Sequence, residues 1–425
     1  MIISVQNYAQ TWTLQQCIDT AQTNNKNLQI SKNEMLISSE KEKEVKANLL
    51  PKIKLAADYK YFIDLPYQLM PASAFGGPEG IYNAVQFGTP HNINVGLQAA
   101  LPLYNPELYG GMKTAKTAVK LNQLKYKKTQ ETVFFDISNL YYNAQILKHQ
   151  ITFIDSNLTN TEKLLKTVEL LYNQKLAKKT DVEKIKLQKA TLNTQRETAM
   201  NNLTQIINLL KLNMGIPAET KLDVETEIKY KNNITYEQKQ NIDIQIAGTR
   251  KELLETELKT IKNSRLPSVS AYANYSQTGF GYDGEPESFL DFYTMSFVGL
   301  QITAPIFNGT VTKRKISRKK IEIDNSKLQT ELLSDQNNIQ IENAVKQRNI
   351  ASKNIADTEN QINLAQSIYN QTILQQKQGV ASLTDVLMAD GKLKEAQQDN
   401  IAAIINYLKA DLELKKLTGN INLSK

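Results

Sequence analysis

Val95-Gly96-Leu97-Gln98 reappears 203 positions later as Val298-Gly299-Leu300-Gln301, and each copy sits in a stretch of apolar–polar alternation. Around the first, Ile93, Val95, Leu97, Ala99, Leu101 and Leu103 alternate with Asn92, Asn94, Gly96 and Gln98; around the second, Val298, Leu300, Ile302, Ala304 and Ile306 alternate with Gly299, Gln301 and Thr303, although before Val298 the pattern blurs, with Phe297 and Met295 on the nominally polar face. A period of two predicts β-strands with one apolar face. Two further stretches behave alike. Ile53, Leu55, Ala57, Tyr59 and Tyr61 oppose Lys52, Lys54, Asp58 and Lys60, while Val269, Ala271, Ala273 and Tyr275 oppose Ser268, Ser270, Asn274 and Ser276. The strands are expected over about 52–62, 91–104, 267–280 and 292–306. They are longer than ordinary globular strands and long enough to cross a bilayer at a tilt. Alternation alone fits both a transmembrane barrel strand and a half-buried soluble sheet. Four strands cannot close a membrane barrel, so in lipid the chain must oligomerise; three copies would supply twelve.

Outward from the strands, the doubling continues. Leu50-Pro51 returns as Leu266-Pro267, Thr180-Asp181-Val182 as Thr384-Asp385-Val386, and Gly215 as Gly419. Each Leu-Pro pair ends a helix, expected over 13–49 and 236–266, because proline cannot continue one. After each strand pair comes a long run, 106–173 and 309–377, that no proline interrupts past its first turn. The first carries a 3-4 apolar alternation (Ile137, Leu140, Ala144, Leu147, Ile151, Ile154, Leu158), and 204 positions on the same seam recurs with smaller, more polar residues. That is coiled-coil packing, and about 65 helical residues at 1.5 Å each reach close to 100 Å. Return helices, 180–214 and 384–418, end at Gly215 and Gly419 as helix-terminating glycines. The expected fold is mainly α with a small β part, in two tandem helix-strand-strand-helix repeats. Residues 1–12 form an N-terminal segment, 13–216 and 236–419 the repeats, 217–235 a connector and 420–425 a tail. The start, Met1-Ile2-Ile3-Ser4-Val5, is open between a secretory-signal remnant and a plain N-terminal segment. The proline- and glycine-rich stretch from Phe62 to Pro90 reads as a loop.

Composition narrows the chemistry. The formal net charge is +8, but the basic residues are mostly spread along helices among glutamates, so a solvated helical face explains them and no nucleic-acid partner is expected. One cysteine, Cys17, leaves no intrachain disulfide and reads as a buried helical thiol. His91 and His149 lie on different elements, so no metal set or nucleophile–histidine pair assembles, and neither cofactor nor enzymatic activity is expected.

These marks, with the opening Trp12-Thr13-Leu14-Gln15-Gln16-Cys17 and the turn Gln378-Gly379-Val380-Ala381-Ser382-Leu383-Thr384-Asp385-Val386, resemble the TolC-type outer-membrane efflux proteins over nearly the whole chain. The first-half turn, Lys175-Leu176-Ala177-Lys178-Lys179-Thr180-Asp181-Val182, keeps Leu176 and Thr180-Asp181-Val182 but has Lys175 where that family usually has glycine. The resemblance implies a homotrimer in the outer membrane, with a twelve-stranded barrel continued by a periplasmic helical barrel. It implies a passive exit duct for small molecules, driven by an inner-membrane transporter through a periplasmic adaptor. A duct for protein secretion and, in a different class, a soluble coiled-coil scaffold are the alternatives. The implied membrane-facing residues are Ile53, Leu55, Tyr59, Val95, Leu97, Leu101, Val269, Tyr275, Val298, Leu300 and Ile302. The implied adaptor-docking turns hold Leu176, Ala177, Thr180 and Asp181, and Gly379, Val380, Ala381, Ser382, Leu383 and Thr384. The implied tip constriction lies at Asp385 and Met388, where methionine replaces a second charged ring; Ala381 falls where some members carry a latching arginine. Independently of the family, Asp181 and Asp385 are each placed to cap a returning helix.

Overall fold

The computed structural model describes residues 10–228, 230, 235–281, 284 and 291–421. Expectations that fall on 1–9, 229, 231–234, 282–283, 285–290 and 422–425 lie outside them. The elements run β1 (Gln10–Trp12), α1 (Leu14–Asn24), α2 (Lys26–Ala47), β2 (Lys52–Tyr61), β3 (Tyr67–Pro71), β4 (Tyr82–Gln86), β5 (His91–Tyr104), α3 (Pro106–Asn173), α4 (Lys179–Met214), β6 (Leu222–Val224), α5 (Ile242–Asn263), β7 (Ser268–Gly281), β8 (Asp291–Thr303), α6 (Val311–Lys377) and α7 (Leu383–Leu417).

Five expectations need correction. The first helix is two helices, broken at Asn25, whose Oδ1 accepts from the Leu28 amide at 3.0 Å and whose Nδ2 donates to the Asn213 carbonyl at 2.5 Å. Asn241 does the same for α5: its Oδ1 accepts from the Asp243 amide at 2.8 Å, so that helix starts after Asn241 and not at Tyr236. An asparagine offering an oxygen to the next turn's free amides is a helix start. The stretch 62–90 is not all loop, because β3 and β4 pair as an antiparallel hairpin around a short 3-10 turn, Ala72–Phe75. The connector holds β6, which pairs in parallel with β1. Finally, β8 stops at Thr303, two residues before Pro305, which has no amide hydrogen for the ladder.

Contacts divide the chain into two units, each drawing matching pieces from both halves: 1–36 with 121–249 and 326–425, and 37–120 with 250–325. The first unit holds the buried clusters. Cys17, Ile18, Ala21 and Leu28 pack with Val133, Ile137, Tyr141, Ala144, Leu210, Met214, Leu222 and Val224. Burial pushes the Cys17 thiol up to about 12. Tyr141 ties the cluster together, its hydroxyl donating to the Trp12 carbonyl at 2.9 Å and accepting from the Glu225 amide at 3.2 Å. On the second-half seam, Ala351 and Ile355 pack against Ala403 and Tyr407, and Ala344 against Leu414 and Leu417.

The second unit holds one four-stranded antiparallel sheet, ordered β2-β5-β7-β8. The doubled glycines are explained inside it. Gly96 pairs with Ser276, and a Cβ there would come within 2.8 Å of the Ser276 Cβ; Gly299 pairs with Tyr272, and a Cβ there would come within 2.6 Å of its ring. Each copy of Val-Gly-Leu-Gln is thus a strand segment lying under a neighbour's side chain, where only glycine leaves room.

Candidate functional site: one sheet face and two helix turns

Residues paired directly across antiparallel strands point to the same side. The register pairs Ile53 with Ala99, Leu55 with Leu97 and Tyr59 with Ile93. It then pairs Leu97 with Tyr275, Leu101 with Ala271 and Ala99 with Ala273. Across the last ladder Val269 meets Ile302, Ala271 meets Leu300 and Ala273 meets Val298. All eleven apolar residues expected to face the membrane therefore share one face of one sheet. Most are open to solvent in the single chain, among them Ile53 and Leu55 at 70%, Val298 at 85% and Ile302 at 72%. The opposite face carries Lys52, Lys54, Asp58, Lys60, Asn92, Asn94, Gln98, Asn274, Ser276, Thr278 and Gln301, and towards β8 also Tyr272, Phe280, Tyr293, Met295 and Phe297. There Asp58 accepts from Asn94 Nδ2 at 3.4 Å and pairs with Lys60 at 3.3 Å. Among the described residues, the outer strands β2 and β8 each have one unpaired edge.

At one end of the apolar face His91 is buried under two tyrosines. Its Nδ1 lies 2.7 Å from the Tyr59 hydroxyl, and its ring is 4.9 Å from that of Tyr61. Alternation identified Tyr59 and Tyr61 but not the histidine that joins them.

The helix turns lie in the first unit. Both reverse through a left-handed residue at matching positions, Lys175 at φ 63 and Gly379 at φ 73. Both close with the same hydrogen bonds: Leu176 N–H donates to the Leu171 carbonyl at 2.8 Å, and Val380 N–H to the Gln375 carbonyl at 2.9 Å. Each turn then presents one exposed apolar side chain, Leu176 at 72% and Val380 at 76%. Ala177 and Ala381 are half-buried, and Thr180 and Thr384 exposed; Leu383 opens α7, its side chain outside the described set.

The caps differ. Ser382 Oγ accepts from the Asp385 amide at 3.2 Å, while the Asp385 carboxylate accepts from the Ser382 amide at 2.8 Å and its hydroxyl at 2.7 Å. These bonds, the hydroxyl's first, hold the Asp385 carboxyl below the usual aspartate range. In the first turn Asp181 accepts from the Lys178 amide at 3.2 Å, but the lysine side chain has no acceptor to return. The cap reading of both aspartates is therefore geometric fact at Asp385 and half of that at Asp181.

Two cavities flank the turns. One, about 740 Å³, is lined by Phe153, Leu164, Ala177, Asp181, Leu387 and Met388 among others; the second, about 570 Å³, by Ile368, Val380, Ala381, Asp385 and Met388. Met388, 67% exposed, borders both. Sequence reasoning missed Asp390 of α7, which accepts from Asn160 of α3, on the other helical pair, and at 2.7 Å from Lys394 one turn along its own helix. No helix among the described residues is long and apolar enough to cross a membrane.

Comparison with known proteins agrees with this geometry. A family model described as "Outer membrane efflux protein" matches residues 235–420, nearly the whole second half. The outer membrane protein TolC of Escherichia coli is 21% identical over 97% of this chain and 83% of its own length, and that of Salmonella enteritidis is 20% identical over the same shares. Among solved structures, the outer membrane protein VceC of Vibrio cholerae superposes with a TM-score of 0.73 at 17% identity, covering 96% of each chain. The CmeC outer membrane channel of Campylobacter jejuni gives 0.73 at 15% identity over 97% of this chain and 87% of its own. The chain is thus similar to TolC-type outer membrane proteins along nearly its whole length and shares their fold, and its second half matches the outer membrane efflux protein family.

Proposed function

We propose that this chain is the outer-membrane exit duct of a tripartite efflux system: a passive, non-enzymatic channel whose energy comes from an inner-membrane transporter through a periplasmic adaptor. The observation that carries the reading is the sheet, with eleven apolar residues on one face, an opposite face that is polar along β2 and β5, and an edge on each side that is unpaired among the described residues. In hydrocarbon an unpaired edge leaves backbone amides and carbonyls unsatisfied at several kcal/mol each, so the edge of β8 must meet β2 of another copy. Three copies close twelve strands around the lysine- and amide-lined face, and the apolar face meets lipid.

The turns are then the adaptor-docking tips, offering Leu176 and Val380 as apolar knobs beside Ala177, Thr180, Asp181, Gly379, Ala381, Ser382, Leu383 and Thr384. Asp385 and Met388 form the constriction. Three Asp385 carboxylates gathered on one axis repel one another and attract cations, which makes the opening cation-selective. The Ser382 bonds keep Asp385 ionised while leaving its second carboxylate oxygen unused among the described contacts.

Single-channel recording of detergent-purified protein in a planar bilayer tests the duct. Discrete, cation-selective steps are expected, with a larger and less selective step for Asp385→Ala. Protein that purifies from the soluble fraction without detergent and gives no steps would overturn the reading.

A further inference from the structure

The basic residues are not spread evenly after all. Lys313-Arg314-Lys315-Ile316-Ser317-Arg318-Lys319-Lys320 places six cations in eight residues at the start of α6, just beyond the end of β8. The matching stretch of the first half, 204 positions earlier, reads Tyr109-Gly110-Gly111-Met112-Lys113-Thr114-Ala115-Lys116 and holds two. The shared fold therefore does not require this charge.

Nor is the charge neutralised within the chain. Lys319 pairs with Glu257 at 2.9 Å and also with Glu322, and Arg318 reaches Glu322 at 3.4 Å. Lys313, Arg314, Lys315 and Lys320 are exposed and meet no carboxylate among the described residues. The first turn of α6 has no acidic residue, so these cations face the positive end of the helix dipole, an arrangement that an external anion would relieve.

The surroundings point to the kind of anion. A cavity of about 280 Å³ beside the run is lined by Arg265, Asn308, Thr310, Thr312 and Lys313, which offer cationic and hydroxyl groups suited to a phosphate. Its rim includes Ile306, 99% exposed, and Phe307, 83% exposed. The junction adjoins the helix-bearing end of the apolar sheet face, where Val269 pairs with Ile302 and Ser268 with Thr303. A phosphate next to an apolar chain, at the edge of a membrane-facing surface, is the chemistry of a phospholipid. A zwitterionic headgroup brings its own cation, so an anionic one suits four unpaired cations better.

We propose that residues 313–320, with Arg265 and the Ile306–Phe307 pair, form a binding site for anionic phospholipid headgroups of the leaflet that meets the helical end of the barrel. The site rests on the membrane placement of the sheet argued above. It anchors the second-half junction at a fixed depth, with Ile306 and Phe307 among the acyl chains and the basic run at the phosphate layer.

The test compares the full chain with a variant carrying Lys313→Gln, Arg314→Gln, Lys315→Gln and Lys320→Gln. Both are reconstituted in phosphatidylethanolamine vesicles holding a minority of phosphatidylglycerol. Flotation reports insertion, and mass spectrometry of lipids retained after mild detergent extraction reports preference. Each basic residue near an anionic leaflet is worth about five-fold in binding, so the variant should lose retained phosphatidylglycerol roughly ten-fold or more while still floating. In a Phe307→Trp protein, brominated acyl chains should quench the new indole, with the native Trp12 in the first unit's core as the unquenched background. Wild-type protein that floats but retains the two lipids in the bulk ratio would overturn the site, as would a variant as enriched as wild type or an unquenched Trp at 307. Failure of the wild-type chain to float with any vesicle would instead overturn the duct reading, and the site with it.

Discussion

The two helix turns reach the same backbone by different means. At the second, Gly379 takes the left-handed conformation at little steric cost, and Ser382 and Asp385 complete a reciprocal cap. At the first, Lys175 is held at φ 63, where a side chain is strained, and the cap is half made because Lys178 replaces the serine. Matching hydrogen bonds nevertheless close both turns. The coiled coil on either side decides where the chain must reverse, and local residues decide only how well the reversal is held. The family model also matches the half with the better-held turn.

The largest expected effect comes from removing the advantage of the second turn. Gly379→Ala puts a Cβ into the left-handed region at a cost of about 1–2 kcal/mol, and amide exchange over the turn should quicken roughly five- to thirty-fold. If exchange is unchanged, the reversal does not depend on glycine there. Ser382→Ala leaves the start of α7 half capped, as α4 is, and should cost about 1 kcal/mol, read in the protection of the Asp385 amide. The converse, Lys175→Gly, should stabilise the first turn by about 0.4–1 kcal/mol, its relief of strain partly offset by the greater freedom of the unfolded chain. Slower exchange at Leu176 would show it, and faster exchange would mean that Lys175 is held by something other than backbone geometry.

The smallest effect is one of pH. Asp385's carboxyl is held below its ordinary 3.8, so the cap's stabilisation is complete above that value and is lost as pH falls through the lower folded value. Loosening of the second turn only below about pH 4, absent in Asp385→Asn, is the expected signature. Loss already near neutral pH would contradict it.

What could be read in advance follows the range of the interactions involved. α3 matched its expected span, Pro106 to Asn173, because an uninterrupted helical period is a local signal with a proline at its start. β5 was equally clear from alternation. The break at Asn25 was not, since the apolar pattern runs on and only the remote Asn213 carbonyl shows why the chain bends there. β1 and β6 were missed for a similar reason: three residues each, paired across the chain, leave no period to detect.

The site divides in the same way. Alternation sorts residues into two faces but does not say which strand lies beside which, so the single apolar face became visible only with the β5–β7 ladder. The aspartates could be placed at helix starts from the Thr-Asp-Val repeat, whereas the unequal caps depended on the residues three positions before them, Lys178 and Ser382. The basic run was overlooked because it was averaged into the charge of a long helix.

The central claim is that one face of the sheet meets lipid and the other meets water. It is tested most directly by single cysteines on neighbouring residues of one strand, Leu300→Cys and Gln301→Cys, in reconstituted protein. The native Cys17 is buried, with its thiol pushed up to about 12, so it gives little background. A membrane-impermeant thiol reagent should label position 301 and spare position 300, while a lipid-soluble nitroxide should broaden a spin label at 300 and not at 301. Equal labelling at both positions, or the reverse order, would contradict the account.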